Sequence, residues 1–217
     1  MFKHETQVIK FLLQWYSMNA RKLPWRKKNN LNLPHPYFVF VSEYMLQQTT
    51  VNTVKNKFNE FILKWPSLNK LAQTSEPNIL EFWSGLGYYS RARNLLKSAK
   101  IIKNNFKNKI PETYDELIQL PGIGDYTAKA ILGIGYNKSV MPLDANIERI
   151  LVRLYAIDKP INKVKNKLKD LGKKFISDKY SSNLIQSFMD YGSEICLPRN
   201  PKCNICCLLY TSDAADE

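Results

Sequence analysis

The chain has 217 residues, enough for one large domain or two small ones, and 44% of them are apolar, which permits a substantial core. No run of about 18 apolar residues is present, which excludes a membrane-spanning helix, and Met1-Phe-Lys-His-Glu5 carries no signal-peptide pattern. The formal charge of +13 suits a polyanionic partner, although AT-rich coding would also produce the abundance of Lys, Asn and Ile.

In chain order, the apolar spacing is helical and never alternates as a strand would, so the expected fold class is all-α. Val8, Phe11, Leu12 and Trp15 mark a first helix over residues 4–18. Arg21-Lys-Leu-Pro-Trp-Arg26 is a basic, aromatic loop, and residues 29–36 are a polar, proline-bearing linker. Residues 37–47 are apolar with Glu43 in their middle. Residues 50–64 form an amphipathic helix with Val51, Val54, Phe58, Phe61 and Ile62 on one side, ended by Trp65-Pro66. Short helices follow at 67–72 and 76–83, and Gly85 and Gly87 break the chain. Ala92, Leu95, Leu96, Ala99 and Ile102 give another helix with a basic outer face. After residue 144, stripes at Ile147, Ile150, Leu151 and Leu154, at Val164, Leu168, Leu171 and Phe175, and at Ile185, Phe188, Met189 and Gly192 predict three more.

The stretch between these groups is the most informative. Thr113 and Glu116 form a capping box, so a helix begins there. Pro121 and Gly122 stop it, Gly124 allows a tight turn, and residues 127–132 start a second helix. Turn amides without side chains over them suit a phosphate oxygen, although an ordinary helical hairpin reads the same way. Pro142-Leu143-Asp144 then delivers a lone carboxylate just beyond the hairpin.

With its Gly/Pro-containing loop and Asp144, Leu120-Pro-Gly-Ile-Gly124 resembles the helix-hairpin-helix DNA glycosylases. Ser42-Glu-Tyr-Met-Leu-Gln-Gln-Thr49 and Trp83-Ser-Gly-Leu-Gly-Tyr-Tyr-Ser-Arg-Ala-Arg-Asn94 resemble the MutY-type adenine glycosylases among them. Three motifs in the right order, over about residues 23–206, make the resemblance specific. It implies two lobes with a cleft between them: a six-helix bundle over 28–137 that carries the hairpin (113–135), and an iron–sulfur lobe from 1–27 and 138–206. It also implies base excision repair of adenine mispaired with 8-oxoguanine or guanine in double-stranded DNA, by a cytoplasmic, nucleoid-associated bacterial monomer. A thymine mismatch glycosylase on the same fold and a non-catalytic helix-hairpin-helix DNA-binding module are the alternatives.

Breaking an N-glycosidic bond needs an acid for the departing base and a charged carboxylate beside the oxocarbenium-like sugar. Burial of Glu43 in its apolar segment would favour the protonated form, and a helix N-terminus would favour a charged Asp144. The resemblance makes Glu43 the general acid and Asp144 the stabiliser. Residue by residue, the alternatives are the polar face of a half-exposed helix for Glu43 and a plain N-cap for Asp144. Bifunctional relatives carry a lysine where this chain has Tyr126, so the resemblance implies a monofunctional enzyme that leaves an abasic site. It places Gln48 and Tyr88 as wedges beside the flipped base, Gly122 and Gly124 against phosphate, Trp25 and Arg26 beside the extruded adenine, and Gln186 and Asp190 around the adenine pocket. A helix-end glutamine and a core tyrosine are the plain readings of Gln48 and Tyr88. Arg91, Arg93 and Lys97 would then meet phosphates or stay solvated.

All four cysteines lie after residue 195, which points to a local metal site in a reducing compartment rather than a disulfide framework. Cys196, Cys203 and Cys206 have the spacing C-x6-C-x2-C, and the resemblance implies a [4Fe-4S] cluster. Its fourth cysteine would fall at Ser212, and Cys207 sits next to Cys206, an awkward direction for a shared cube. Zinc is the second choice of metal. Residues 207–217 read like translated transposon-adapter DNA and are set aside as non-native. The expected native continuation supplies the fourth ligand and, in this family, a Nudix-like domain that recognises 8-oxoguanine.

Overall fold

The computed structural model describes residues 3–206 and Leu208. Eleven α-helices appear among them: α1 (Lys3–Asn19), α2 (Pro36–Leu46), α3 (Val51–Lys64), α4 (Leu68–Ala72), α5 (Glu76–Phe82), α6 (Ser90–Asn105), α7 (Tyr114–Ile118), α8 (Asp125–Ala130), α9 (Ala145–Leu154), α10 (Lys165–Lys173) and α11 (Ser181–Glu194). The only β feature among the described residues is an isolated bridge between Lys28 and Pro34. The fold is all-α, as the spacing predicts, and none of its described helices is long and apolar enough to cross a membrane. Two compact units are present: residues 22–136, and residues up to Arg21 together with those from Asn137 onward.

In the middle unit α2 is the buried element. Pro36 starts it and His35 caps it, Nδ1 accepting from the Tyr37 N–H at 3.2 Å. Tyr37, Val39, Phe40, Val41, Ser42, Glu43, Tyr44 and Met45 are all buried, which is why the segment shows no single apolar stripe. Each large apolar side chain among them contributes about 1.5–3 kcal/mol by leaving water. Around α2 the other helices are amphipathic, with Val54, Phe58 and Phe61 of α3 and Ala92, Leu95, Leu96, Ala99 and Ile102 of α6 turned inward. Thr50, Ser67 and Ser75 cap the N-termini of α3, α4 and α5 by accepting from the N–H three residues on, which satisfies one of the N–H groups a helix start leaves free. Phe61, Trp65 and Phe82 pack as a ring cluster with centroids 4.8–5.5 Å apart.

The hairpin between α7 and α8 is anchored from below. Thr113 Oγ1 caps α7 by accepting from the Glu116 N–H at 3.4 Å, and donates to Glu116 Oε2 at 2.6 Å. The Pro121 carbonyl accepts from the Tyr44 hydroxyl at 2.5 Å and the Ser98 hydroxyl at 3.0 Å. The turn residue that needs glycine is Gly122, at φ +81, where a Cβ would sit 3.0 Å from Asn94 and Tyr44. Gly124 corrects the sequence reading: its φ of −102 suits any residue, and nothing lies within 4 Å of a Cβ there. It heads α8 with no side-chain cap. Beyond α8 the chain continues as a π-helical stretch, Ile131–Gly135, where a Cβ on Gly135 would lie 3.2 Å from Pro36 Cα.

In the other unit α1 lies along α11. Val8 and Leu12 are fully buried, and Trp15 meets Tyr191 edge-on at 5.1 Å. Phe175 fills the space between Tyr155 and Phe188, with ring centroids at 6.4 and 5.3 Å. Glu5 is buried here and accepts from Tyr155 Oη at 2.8 Å and Lys174 Nζ at 3.1 Å. Burial raises its pKa, but these hydrogen bonds outweigh it and hold the carboxyl below the usual range.

Gly122→Ala would place a side chain on left-handed backbone and against two neighbours. It should cost about 1–3 kcal/mol of stability, measured by denaturant unfolding of the two proteins side by side.

Candidate active site

Glu43 is only 7% exposed, because the helix that carries it is surrounded. That removes the half-exposed polar face as an account of this residue. One turn later the helix ends at the surface. Gln47 Nε2 donates to the Gly122 carbonyl at 3.2 Å, tying the end of α2 to the hairpin. Gln48 is exposed and Tyr88 is 62% exposed, so Tyr88 is no core residue. Both adopt left-handed backbone, at φ +56 and +48. Tyr126 is half-buried in the first turn of α8, and Gly122 and Gly124 are exposed.

Three basic residues behave differently from one another. Arg91 is 5% exposed and its guanidinium points to backbone carbonyls, which corrects its reading as a phosphate contact or a solvated charge. Arg93 pairs with Glu76 at 2.9 Å on the surface, while Lys97 is exposed. Trp25 is 7% exposed and packs edge-on against Phe58 at 5.5 Å, so it serves the core of its unit; Arg26 beside it is half-buried.

Asp144 belongs to the second unit and does cap α9. Oδ1 accepts from the Ile147 N–H at 2.8 Å and Oδ2 from Asn146 Nδ2 at 2.9 Å. The bonds continue. Arg149 Nη2 donates to Asn146 Oδ1 at 2.8 Å and to the Gly192 carbonyl at 2.5 Å, and its Nε donates to the Cys196 carbonyl at 2.7 Å. A relay of Asn146 and Arg149 therefore joins the Asp144 carboxylate to the backbone of the first cysteine. Gly192 lets α11 approach: a Cβ there would lie 2.6 Å from Asn146 Cβ. One turn along, burial raises the pKa of Glu148; Lys165 lowers it and the Asp144 carboxylate raises it further. Sequence reading missed this relay. Its trace is the pair Arg149 and Arg153, four apart on one face of the helix that Asp144 begins.

Gln186 and Asp190 lie on the buried face of α11. Gln186 Nε2 donates to the Ser182 carbonyl and hydroxyl at 3.0 and 3.2 Å, and its Oε1 is a buried acceptor with no hydrogen-bond partner among the described residues. Asp190 is fully buried and accepts from the Arg21 N–H at 3.0 Å and Arg21 Nε at 2.5 Å, pinning the exit of α1.

Cys196, Cys203 and Cys206 line one cavity of about 570 Å³. Arg153 Nη1 donates to Cys196 Sγ and the Tyr191 hydroxyl to Cys206 Sγ, each at 3.2 Å. No three His, Cys, Asp or Glu residues among those described close around a single ion. Three thiols lining one cavity are a donor set suited to a cluster that takes one thiolate per iron. Ser212 and Cys207, the two residues weighed for the fourth ligand, lie outside the described residues, as does the tail reading except at Leu208.

A glycine-turned hairpin is thus braced on a buried helix that carries one carboxylate, and another carboxylate heads α9. The chain belongs to the HhH-GPD superfamily of base excision DNA repair proteins, whose model matches residues 41–174. It is 46% identical over 202 residues to the adenine DNA glycosylase of Buchnera aphidicola subsp. Baizongia pistaciae, covering 92% of this chain and 56% of that protein. It is 40% identical over 201 residues to the adenine DNA glycosylase of Rattus norvegicus, covering 90% of this chain and 39% of that protein. The chain thus spans little more than half the length of the first of these relatives, and less of the second. Its fold resembles that of a thermostable thymine-DNA glycosylase, with a TM-score of 0.86 at 24% identity over 99% of this chain and 97% of that one. It also resembles endonuclease III in a non-covalent DNA complex, with a TM-score of 0.76 at 19% identity over 100% and 98%.

The cap makes a clean stability test. Asp144→Ala should cost about 0.5–2 kcal/mol in thermal or denaturant unfolding, and Asp144→Asn less, because its amide oxygen keeps the Ile147 cap although its nitrogen cannot accept from Asn146.

Proposed function

We propose that the chain is the glycosylase part of a monofunctional adenine DNA glycosylase, acting on adenine opposite 8-oxoguanine or guanine in double-stranded DNA. The observation that carries this is a carboxylate, Glu43, enclosed within a buried helix, in a chain 46% identical to an adenine DNA glycosylase. An acid held away from water can keep its proton until a base arrives. Glu43 gives that proton to adenine as the bond to the sugar breaks. The sugar becomes oxocarbenium-like, and the Asp144 carboxylate offsets its positive charge. Water adds to the sugar and returns a proton to Glu43, leaving free adenine and an abasic site. Both Asp144 oxygens accept hydrogen bonds, which orient the carboxylate.

The target base must first leave the stack. Gln48 and Tyr88 are the exposed residues assigned to the opened duplex, and the amides around Gly122 and Gly124 the group assigned to phosphate. Gln186, whose buried Oε1 has no hydrogen-bond partner among the described residues, and Asp190 are assigned to adenine recognition, whereas the burial of Trp25 against Phe58 supports a structural role for it. Tyr126 stands where a strand-cleaving relative would carry lysine, so no Schiff base forms there. Cys196, Cys203 and Cys206 would hold three corners of a [4Fe-4S] cluster, which when bound supplies a rigid staple for the C-terminal loop and a local charge centre.

Glu43→Gln and Asp144→Asn should each lower adenine release from a duplex with one adenine·8-oxoguanine pair by about 10²-fold or more, with duplex binding nearly unchanged. Product strands should stay intact until alkali is added. Release of thymine from a G·T duplex in preference to adenine would overturn the substrate assignment. Binding without release of any base would leave a DNA-binding module.

The metal reading has its own readout. Anaerobic reconstitution followed by iron and sulfide analysis should give an incomplete, labile cluster in this chain and an intact one with Ser212→Cys, whose iron content then falls on Cys196→Ala, Cys203→Ala or Cys206→Ala. Stoichiometric zinc without sulfide would overturn it.

A further inference from the structure

Gln48 and Tyr88 share two properties. Both are exposed, and both sit in left-handed backbone, at φ +56 and +48, with no glycine to relieve it. Such conformations persist only where the surroundings hold them. The two turns that contain them are held by one buried side chain.

That side chain is Arg91, in the first turn of α6. Its Nη1 donates to the carbonyls of Tyr44 at 3.2 Å and Met45 at 2.7 Å, and to that of Gln47 in a short contact. These are carbonyls that the end of α2 leaves without helical partners. Its Nη2 donates to the carbonyls of Leu86 at 2.8 Å and Gly87 at 3.0 Å, and to Thr49 Oγ1 at 2.9 Å. Thr49 Oγ1 passes a bond on to the Leu86 carbonyl at 3.4 Å, and Trp83 Nε1 donates to the Gly87 carbonyl at 3.1 Å. The guanidinium lies 5.6 Å from the ring centroids of both Trp83 and Tyr88. One planar fork therefore grips the turn before Gln48 with one nitrogen and the turn before Tyr88 with the other.

We propose that Arg91 is a positioning residue that locks Gln48 and Tyr88 into one rigid edge, so that both enter the duplex together. The proposal rests on the assignment of these two residues to the opened duplex. Arginine is required because its donors leave a rigid plane in several directions, whereas a lysine ammonium is a single point. Fixing the two turns in advance removes the ordering that binding would otherwise have to supply. Gly85 and Gly87, at φ +89 and +69, let the second turn fold back to reach the fork.

The test uses the whole chain and a duplex in which 2-aminopurine replaces the target adenine opposite 8-oxoguanine, since its fluorescence rises on unstacking. At saturating protein, set by anisotropy, Arg91→Lys should give less than about half the wild-type rise while still binding and unfolding cooperatively. On a duplex with 2-aminopurine already in a single-nucleotide bulge, the two proteins should match within experimental error. Should Arg91→Lys fail to unfold cooperatively, Thr49→Val, which removes the hydroxyl bridging the same two turns, carries the test with the same signs. A full fluorescence rise in the variant, or an equal loss on both duplexes, would overturn the proposal. Fluorescence reports opening without catalysis: a chain that unstacks 2-aminopurine through Arg91 but releases no adenine keeps this inference and loses the functional reading.

Discussion

A helix buried on every side must have its polar groups answered from within, and α2 sets that demand for the whole middle unit. Its last carbonyls go to Arg91, and the Tyr44 hydroxyl, with that of Ser98, reaches the Pro121 carbonyl under the hairpin. Gln47 answers the Gly122 carbonyl from the surface. The same contacts that make the helix affordable to bury fix the hairpin, the Gln48 turn and the Tyr88 turn against it. A carboxylate placed on such a helix is enclosed by the fold's own packing, and Glu43 needs no separate pocket to be kept from water.

The second unit holds its carboxylate at a helix start, oriented by a hydrogen bond to each oxygen. A helix start is a favourable place for negative charge, and Asp144 caps α9 with one oxygen while Asn146 holds the other. Arg149 then binds Asn146, the Gly192 carbonyl and the Cys196 carbonyl. One face of α9 thus serves the carboxylate at its start and the cysteine loop further along, where Arg153 meets Cys196 Sγ. Whatever steadies the cysteine loop bears on the orientation of Asp144 through two side chains.

Helices with one apolar stripe were legible in the sequence because their period is local: α3, α6, α9 and the cap at Thr113 follow from residues three or four apart. The hairpin was legible as well, but the duty of its glycines was not. Whether a glycine serves a left-handed turn or an open surface depends on what lies beside it, and Asn94 and Tyr44 decide that for Gly122.

By itself the sequence determined the helical class, the order of the elements and the set of chemically able residues, because periodicity, capping and residue type are properties of neighbouring positions. Only the tertiary structure decided which of those residues face water. It buried Glu43 where a half-exposed face was equally readable, turned Arg91 inward from an apparently basic surface, set Trp25 in the core and exposed Tyr88. The reason is physical: a side chain's burial and partners are set by elements tens of residues away, as Arg91 and the α2 carbonyls are, and that pairing leaves no period in the sequence.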